Sequence, residues 1–79
     1  MHAEHWTKVT VVLMDRQMAF LDRLGADIRA ANGSAISRAH LIRALVDALA
    51  ASDLDLTDCR SEKDLINVLT TRLQRRPGA

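Results

Sequence analysis

The chain has 79 residues, a formal net charge of +1, 48% hydrophobic residues and 27% charged residues. This length allows one small domain at most, and the composition is too apolar for a disordered chain. A single cysteine, Cys59, excludes an intrachain disulfide and a multi-cysteine zinc site, and only two aromatic residues, Trp6 and Phe20, argue against a stacking platform for single-stranded nucleic acid.

Signals for membrane insertion and secretion are also missing from the sequence. No apolar run approaches the roughly 18 residues of a membrane span, and residues 1–12 lack the pattern of a signal peptide. We therefore expect a cytoplasmic protein without a membrane partner. A core this small rarely supplies more than roughly 3–5 kcal/mol of stability, so association with another copy of the chain is expected on size alone.

The first predicted element is a strand over residues 7–13, which follows an N-terminal arm of residues 1–6. One face of the strand carries Val9, Val11 and Leu13, and the other carries Lys8, Thr10 and Val12. A lone strand cannot satisfy its own backbone hydrogen bonds, and no second strand is predicted. Three alternatives follow. The segment is not a strand, it is a strand with an exposed edge, or it is a strand that pairs with another molecule. A two-fold antiparallel ribbon, one strand per subunit, is the simplest closed arrangement.

Helix A is predicted over residues 15–31. Its apolar face carries Met18, Leu21, Leu24 and Ile28. Asp15 can cap the helix or stabilise its first turn, and Asn32-Gly33 favours its end because both residues tolerate a left-handed backbone. Gly25 lies inside the helix at a cost of about 1 kcal/mol relative to alanine. Close approach of another helix would explain this glycine, and so would simple tolerance.

Helix B is predicted over residues 37–50, with Ser37 as its N-cap. Its apolar stripe carries Leu41, Ile42, Leu45, Val46 and Leu49. Residues 51–79 are predicted to form a connector, a third helix over about residues 61–75 and a frayed tail. The third helix begins with Ser61-Glu62-Lys63-Asp64, which is similar to a capping box with Asp in place of Glu or Gln. We expect this helix to pack on the rest of the chain or to support oligomerisation.

The order strand, helix, turn, helix over residues 7–50 resembles the ribbon-helix-helix repressors, to which Arc and MetJ belong. The matching stretches are residues 8–13 and residues 37–45. The resemblance implies a mainly α fold with one short strand, in which two chains intertwine through an intermolecular antiparallel ribbon. The third, C-terminal helix lies outside the match and is expected from its own apolar pattern. The implied dimer core consists of Val9, Val11, Leu13, Leu21, Leu24, Ile28, Leu41, Ile42, Leu45 and Leu49.

The same resemblance implies binding to double-stranded DNA through the major groove. Lys8, Thr10 and Val12 would then contact base edges. The start of helix B would contact phosphates through Ser37, Arg38 and Ala39. The function expected from the resemblance is that of a sequence-specific bacterial repressor that acts as a homodimer, with adjacent dimers on repeated sites.

Two other functions stay open at this point. One is an antitoxin that binds DNA and also a toxin partner, with residues 52–76 as the protein-binding surface. The other is a structural or protein-interaction dimer that meets no nucleic acid. The near-neutral charge keeps the latter open, because a dimer of +1 chains carries only +2.

No chemistry of the catalytic or metal-binding kind is expected. The sequence has no paired carboxylates, nucleophile motif or phosphate-binding loop, so we expect neither an enzyme nor a cofactor. His2, Glu4 and His5 are expected to be surface residues rather than metal ligands. Trp6 is expected to be a packing anchor rather than a DNA contact, and His40 a surface or interface residue.

Overall fold

The structure is a computed structural model that describes residues 4–74. Within that range it contains three helices, α1 (Asp15–Asn32), α2 (Arg38–Ala51) and α3 (Glu62–Leu73). This agrees with the mainly helical class expected from the sequence. No β-strand occurs anywhere in residues 4–74, so the predicted strand over residues 7–13 is wrong, and so is the predicted ribbon-helix-helix fold with its β-ribbon.

The physical reason lies in the backbone of the segment before α1. Residues 4–14 have no regular secondary structure, and residues 4–13 make no backbone hydrogen bond to another described residue. A strand is stabilised by hydrogen bonds to a neighbouring strand, and residues 4–74 contain no strand that could take this place. The alternation of β-branched residues expresses a propensity, which does not by itself replace a pairing partner.

Local side-chain chemistry sets the bounds of α1. The helix follows Met14, whose backbone N–H donates to Gln17 Oε1 at 2.7 Å. Asp15 is thus not the cap but lies in the first turn, where its negative charge suits the positive helix end. The predicted stop is confirmed: Gly33 adopts a left-handed backbone with a φ of 79°, and its N–H donates to the Arg29 carbonyl oxygen at 2.7 Å.

The chain divides into two units, Met1–Asp47 and Ala48–Ala79, with the boundary inside α2. In the first unit, Leu21 is 8% exposed and is the one buried side chain of residues 4–74. Residues of the predicted core that are half-buried are Leu13, Leu24, Ile28 and Leu41. Eight large apolar side chains of this unit are more than half exposed, namely Trp6, Val9, Val11, Val12, Met14, Phe20, Leu45 and Val46. The unit therefore leaves much more apolar surface outside its core than inside it.

The glycine inside α1 has a close backbone neighbour. A Cβ atom added to Gly25 would lie 3.0 Å from the carbonyl oxygen of Ile36, in the turn before α2. The close approach considered for this position is therefore real, although it comes from the turn rather than from a helix. The small residue lets that turn lie directly against α1.

In the second unit, α3 begins with half of the predicted capping box. Ser61 Oγ accepts a hydrogen bond from the Asp64 N–H at 3.1 Å. The Asp64 carboxylate accepts from the Arg60 N–H at 2.9 Å rather than from the N–H of the cap residue, so the reciprocal bond of a capping box is replaced. Near the other end, Arg72 Nη1 lies 2.7 Å from Asp53 Oδ1. Residue 75, predicted as helical, lies outside the described residues.

Candidate nucleic-acid interface

The side chains predicted to contact bases lie on the segment of residues 4–14. Lys8, Thr10 and Val12 are exposed, and Val12 is 93% exposed. Neither Lys8 nor Thr10 makes a hydrogen bond or an ion pair within residues 4–74. Val9, on the face predicted to cover the helices, is itself 73% exposed. In the single chain the polar groups and the apolar groups of this segment are thus both available to a partner.

One ring contact connects this segment to α2. The Cζ atom of Arg43 lies 5.4 Å from the centroid of the Trp6 ring, which is within the range of a cation–π interaction. Trp6 nevertheless remains 79% exposed. The ring therefore contacts a charged group at the surface and is not enclosed by apolar side chains.

Ser37 and His40 form a reciprocal pair of hydrogen bonds at the start of α2. Ser37 Oγ accepts from the His40 N–H at 3.2 Å, which confirms its predicted role as N-cap. The Ser37 N–H donates to His40 Nδ1 at 3.0 Å. The second bond was not predicted from the sequence. The Ser-x-x-His spacing was the signal, because an imidazole nitrogen here takes the place of the Glu or Gln oxygen of a capping box.

Arg38, predicted to contact phosphate, is paired with a carboxylate of α1. Its Nε atom donates to Asp22 Oδ1 at 2.6 Å and its Nη2 atom donates to Asp22 Oδ2 at 2.8 Å. Both side chains remain about half exposed, at 51% and 52%. The hydrogen bonds from Arg38 lower the pKa of Asp22, and the same bonds raise the pKa of Arg38. No sequence signal indicated this pair, since its members are 16 positions apart and belong to different helices.

A shallow depression of about 290 Å³ lies between α1 and the start of α2. Leu21, Gly25, Arg29 and Ser37 are among the residues that line it. No buried side-chain nitrogen or oxygen in the described part of the chain lacks a hydrogen-bond partner. The depression therefore offers no unpaired buried group that would mark a ligand site.

Ala39, the third residue predicted to contact phosphate, is exposed at the second position of α2.

Among residues 4–74, no group of three or more His, Cys, Asp or Glu side chains is arranged to hold a metal ion. Over the same range, no helix has both the length and the hydropathy needed to cross a membrane. Comparisons of the chain with protein-family models, with curated proteins and with solved structures found no match.

Proposed function

We propose that the chain is a sequence-specific regulator of transcription that binds double-stranded DNA as a homodimer. The observation that carries the proposal is the exposure of residues 4–12, where Lys8 and Thr10 have no partner among residues 4–74. The sequence resemblance of residues 37–45 to the start of the second helix in DNA-binding repressors supports duplex DNA as the partner. A regulator of this kind acts in the bacterial cytoplasm, where its DNA is.

The chemistry of the exposed segment suits base edges. The Lys8 ammonium can donate to O6 and N7 of guanine, the Thr10 hydroxyl can donate or accept, and Val12 suits the methyl group of thymine. The start of α2 would lie on the phosphate backbone and fix the register of these contacts. Because a dimer carries a net charge of only +2, we expect weak non-specific binding and a modest dependence of affinity on salt.

The homodimer is supported by the burial pattern of the first unit. Within residues 4–47 the one buried side chain, Leu21, is a very small core, whereas eight large apolar side chains are more than half exposed. A chain of this size needs help from a disulfide, a metal or a partner, and its single cysteine excludes the first within one chain. A second copy would remove apolar surface such as Leu45 and Val46 from water.

The test is a selection of bound fragments from random duplexes at low salt, combined with a mass measurement of the free protein by light scattering. The expected result is enrichment of a palindrome or tandem repeat with short half-sites, and a dimeric mass. Lys8→Ala should relax the base preference at one position of each half-site. Lys63→Ala is the matched control, because it removes the same charge from α3 and should leave the preference unchanged.

The phosphate contact has a separate signature. Arg38→Ala should weaken binding to all sequences by a similar factor and reduce the salt dependence by about one phosphate contact per subunit. A loss of base preference in Arg38→Ala with none in Lys8→Ala would contradict the assigned roles. A monomeric protein with intact helices at micromolar concentration would contradict the homodimer.

A second candidate is a protein-interaction dimer that does not bind DNA. The pairing of Arg38 with Asp22 favours it, because the guanidinium expected on phosphate already has an acidic partner. The near-neutral charge of the chain favours it as well. The absence of any enriched duplex at low salt would refute the DNA-binding role and leave this candidate.

A further inference from the structure

The contact between Arg38 and Asp22 has the geometry of a phosphate contact. The guanidinium presents Nε and Nη2 to two oxygens of one carboxylate, at 2.6 and 2.8 Å. A phosphodiester offers two unesterified oxygens with one shared negative charge, and arginine binds such a group in the same bidentate way. Asp22 therefore occupies the donors that a DNA phosphate would use.

We propose that Asp22 is an autoinhibitory contact, which a DNA phosphate must displace before Arg38 can bind it. This inference rests on the proposed function for the source of the phosphate and for the presence of two subunits. The exchange replaces one bidentate anion with another of the same charge. Both side chains are about half exposed, so the exchange takes place at the surface and needs no opening of a core.

The effect on affinity follows from the weakness of exposed ion pairs. Such pairs change an equilibrium by about 1.5- to 5-fold. Removing the competitor from each of two subunits should therefore tighten DNA binding by about 2- to 25-fold in total. The contact lowers the affinity for every duplex by the same factor, since phosphates carry no base information, and it leaves discrimination to the base contacts.

The first experiment measures duplex affinity in a double-mutant cycle. Asp22→Asn should bind more tightly than the wild type, and this gain should vanish in the Arg38→Ala background. Asp27→Asn is the matched control, because it removes one carboxylate from the same helix, and Asp27 has no hydrogen bond or ion pair within residues 4–74. An equal gain in Asp27→Asn would show a general charge effect and overturn the inference.

The second experiment uses inorganic phosphate and does not depend on DNA. The Nε–Hε resonance of Arg38 is followed while phosphate is added to the full-length protein. In Asp22→Asn the resonance should shift at lower phosphate concentration than in the wild type. Asp22→Ala serves as the second variant, and circular dichroism verifies that both variants keep their helices.

The outcomes separate the two proposals. If no duplex is bound by the wild type or by any variant, the proposed function fails, and the phosphate titration still decides the inference. If duplex binding is seen but Asp22→Asn and Asp22→Ala bind phosphate no more tightly, the inference is overturned. If both variants bind phosphate more weakly, Asp22 positions Arg38 for the contact rather than blocking it, which also overturns the inference.

Discussion

Replacing Gly25 with alanine tests how much the close approach of the turn before α2 to α1 affects the free energy of unfolding. Alanine inside a helix is about 1 kcal/mol more favourable than glycine, so propensity alone predicts a stabilised variant. The structure opposes this, because the added Cβ would lie 3.0 Å from the carbonyl oxygen of Ile36, which is backbone rather than the tip of a side chain. Overpacking of this kind costs about 1–3 kcal/mol. The difference is a net loss of about 0–2 kcal/mol in the free energy of unfolding.

The assay is urea unfolding followed by far-ultraviolet circular dichroism, at one fixed protein concentration because association would add to the stability. Ala26→Gly is the matched control on the same helix, at an exposed position, and should lose about 1 kcal/mol through propensity. A Gly25→Ala variant that is more stable than the wild type by about 1 kcal/mol would refute the reasoning, since the contact with Ile36 would then have no energetic weight.

Three further changes test the first unit. Leu21→Ala should lower the free energy of unfolding by about 2–5 kcal/mol, measured in urea, whereas the same truncation of the exposed neighbour Phe20 should have a much smaller effect in the monomer. His40→Ala should cost about 0.5–1 kcal/mol in the same assay because the Ser37 N–H loses its acceptor, and His40→Gln should restore most of it; equal losses would contradict the capping role. In an acid titration, the stability that Asp22 contributes should be complete above the ordinary aspartate pKa of about 3.9 and should be lost as the pH falls through its lowered folded pKa; an unchanged acid limb in Asp22→Asn would contradict this.

The helices could be predicted because their signals are local. Apolar spacing placed helix A at residues 15–31 and helix B at residues 37–50, and the structure has α1 at Asp15–Asn32 and α2 at Arg38–Ala51. The left-handed backbone of Gly33 and the cap at Ser37 involve neighbours within four positions, so the sequence contains all the information needed. The same holds for Ser61 at the start of α3.

The strand prediction was wrong because it depended on a partner that a local pattern does not contain. The alternation in residues 8–13 reports which conformation the side chains prefer, whereas a strand forms only when another backbone completes its hydrogen bonds. Contacts between distant positions could not be predicted for a related reason. Neither the pairing of Asp22 with Arg38 nor the approach of Ile36 to Gly25 has a spacing that a sequence pattern could reveal.

The candidate interface has two parts, the segment of residues 4–14 and the residues around the start of α2, and the rest of the chain makes more contacts with the second part than with the first. Three consecutive residues, from the turn before α2 to its first position, are each held separately. The Ile36 carbonyl oxygen lies close to Gly25 of α1, Ser37 is hydrogen-bonded to His40, and Arg38 is paired with Asp22. Among residues 4–12, by contrast, the structure has one such contact, between the Trp6 ring and the guanidinium of Arg43 on α2. Fixing a backbone residue costs roughly 1–2 kcal/mol, so ordering this segment on a partner would oppose binding by an amount on the order of 10 kcal/mol. The apolar side chains interleaved with the polar ones must offset that cost, which is why recognition by this segment and burial of its valines have to occur together.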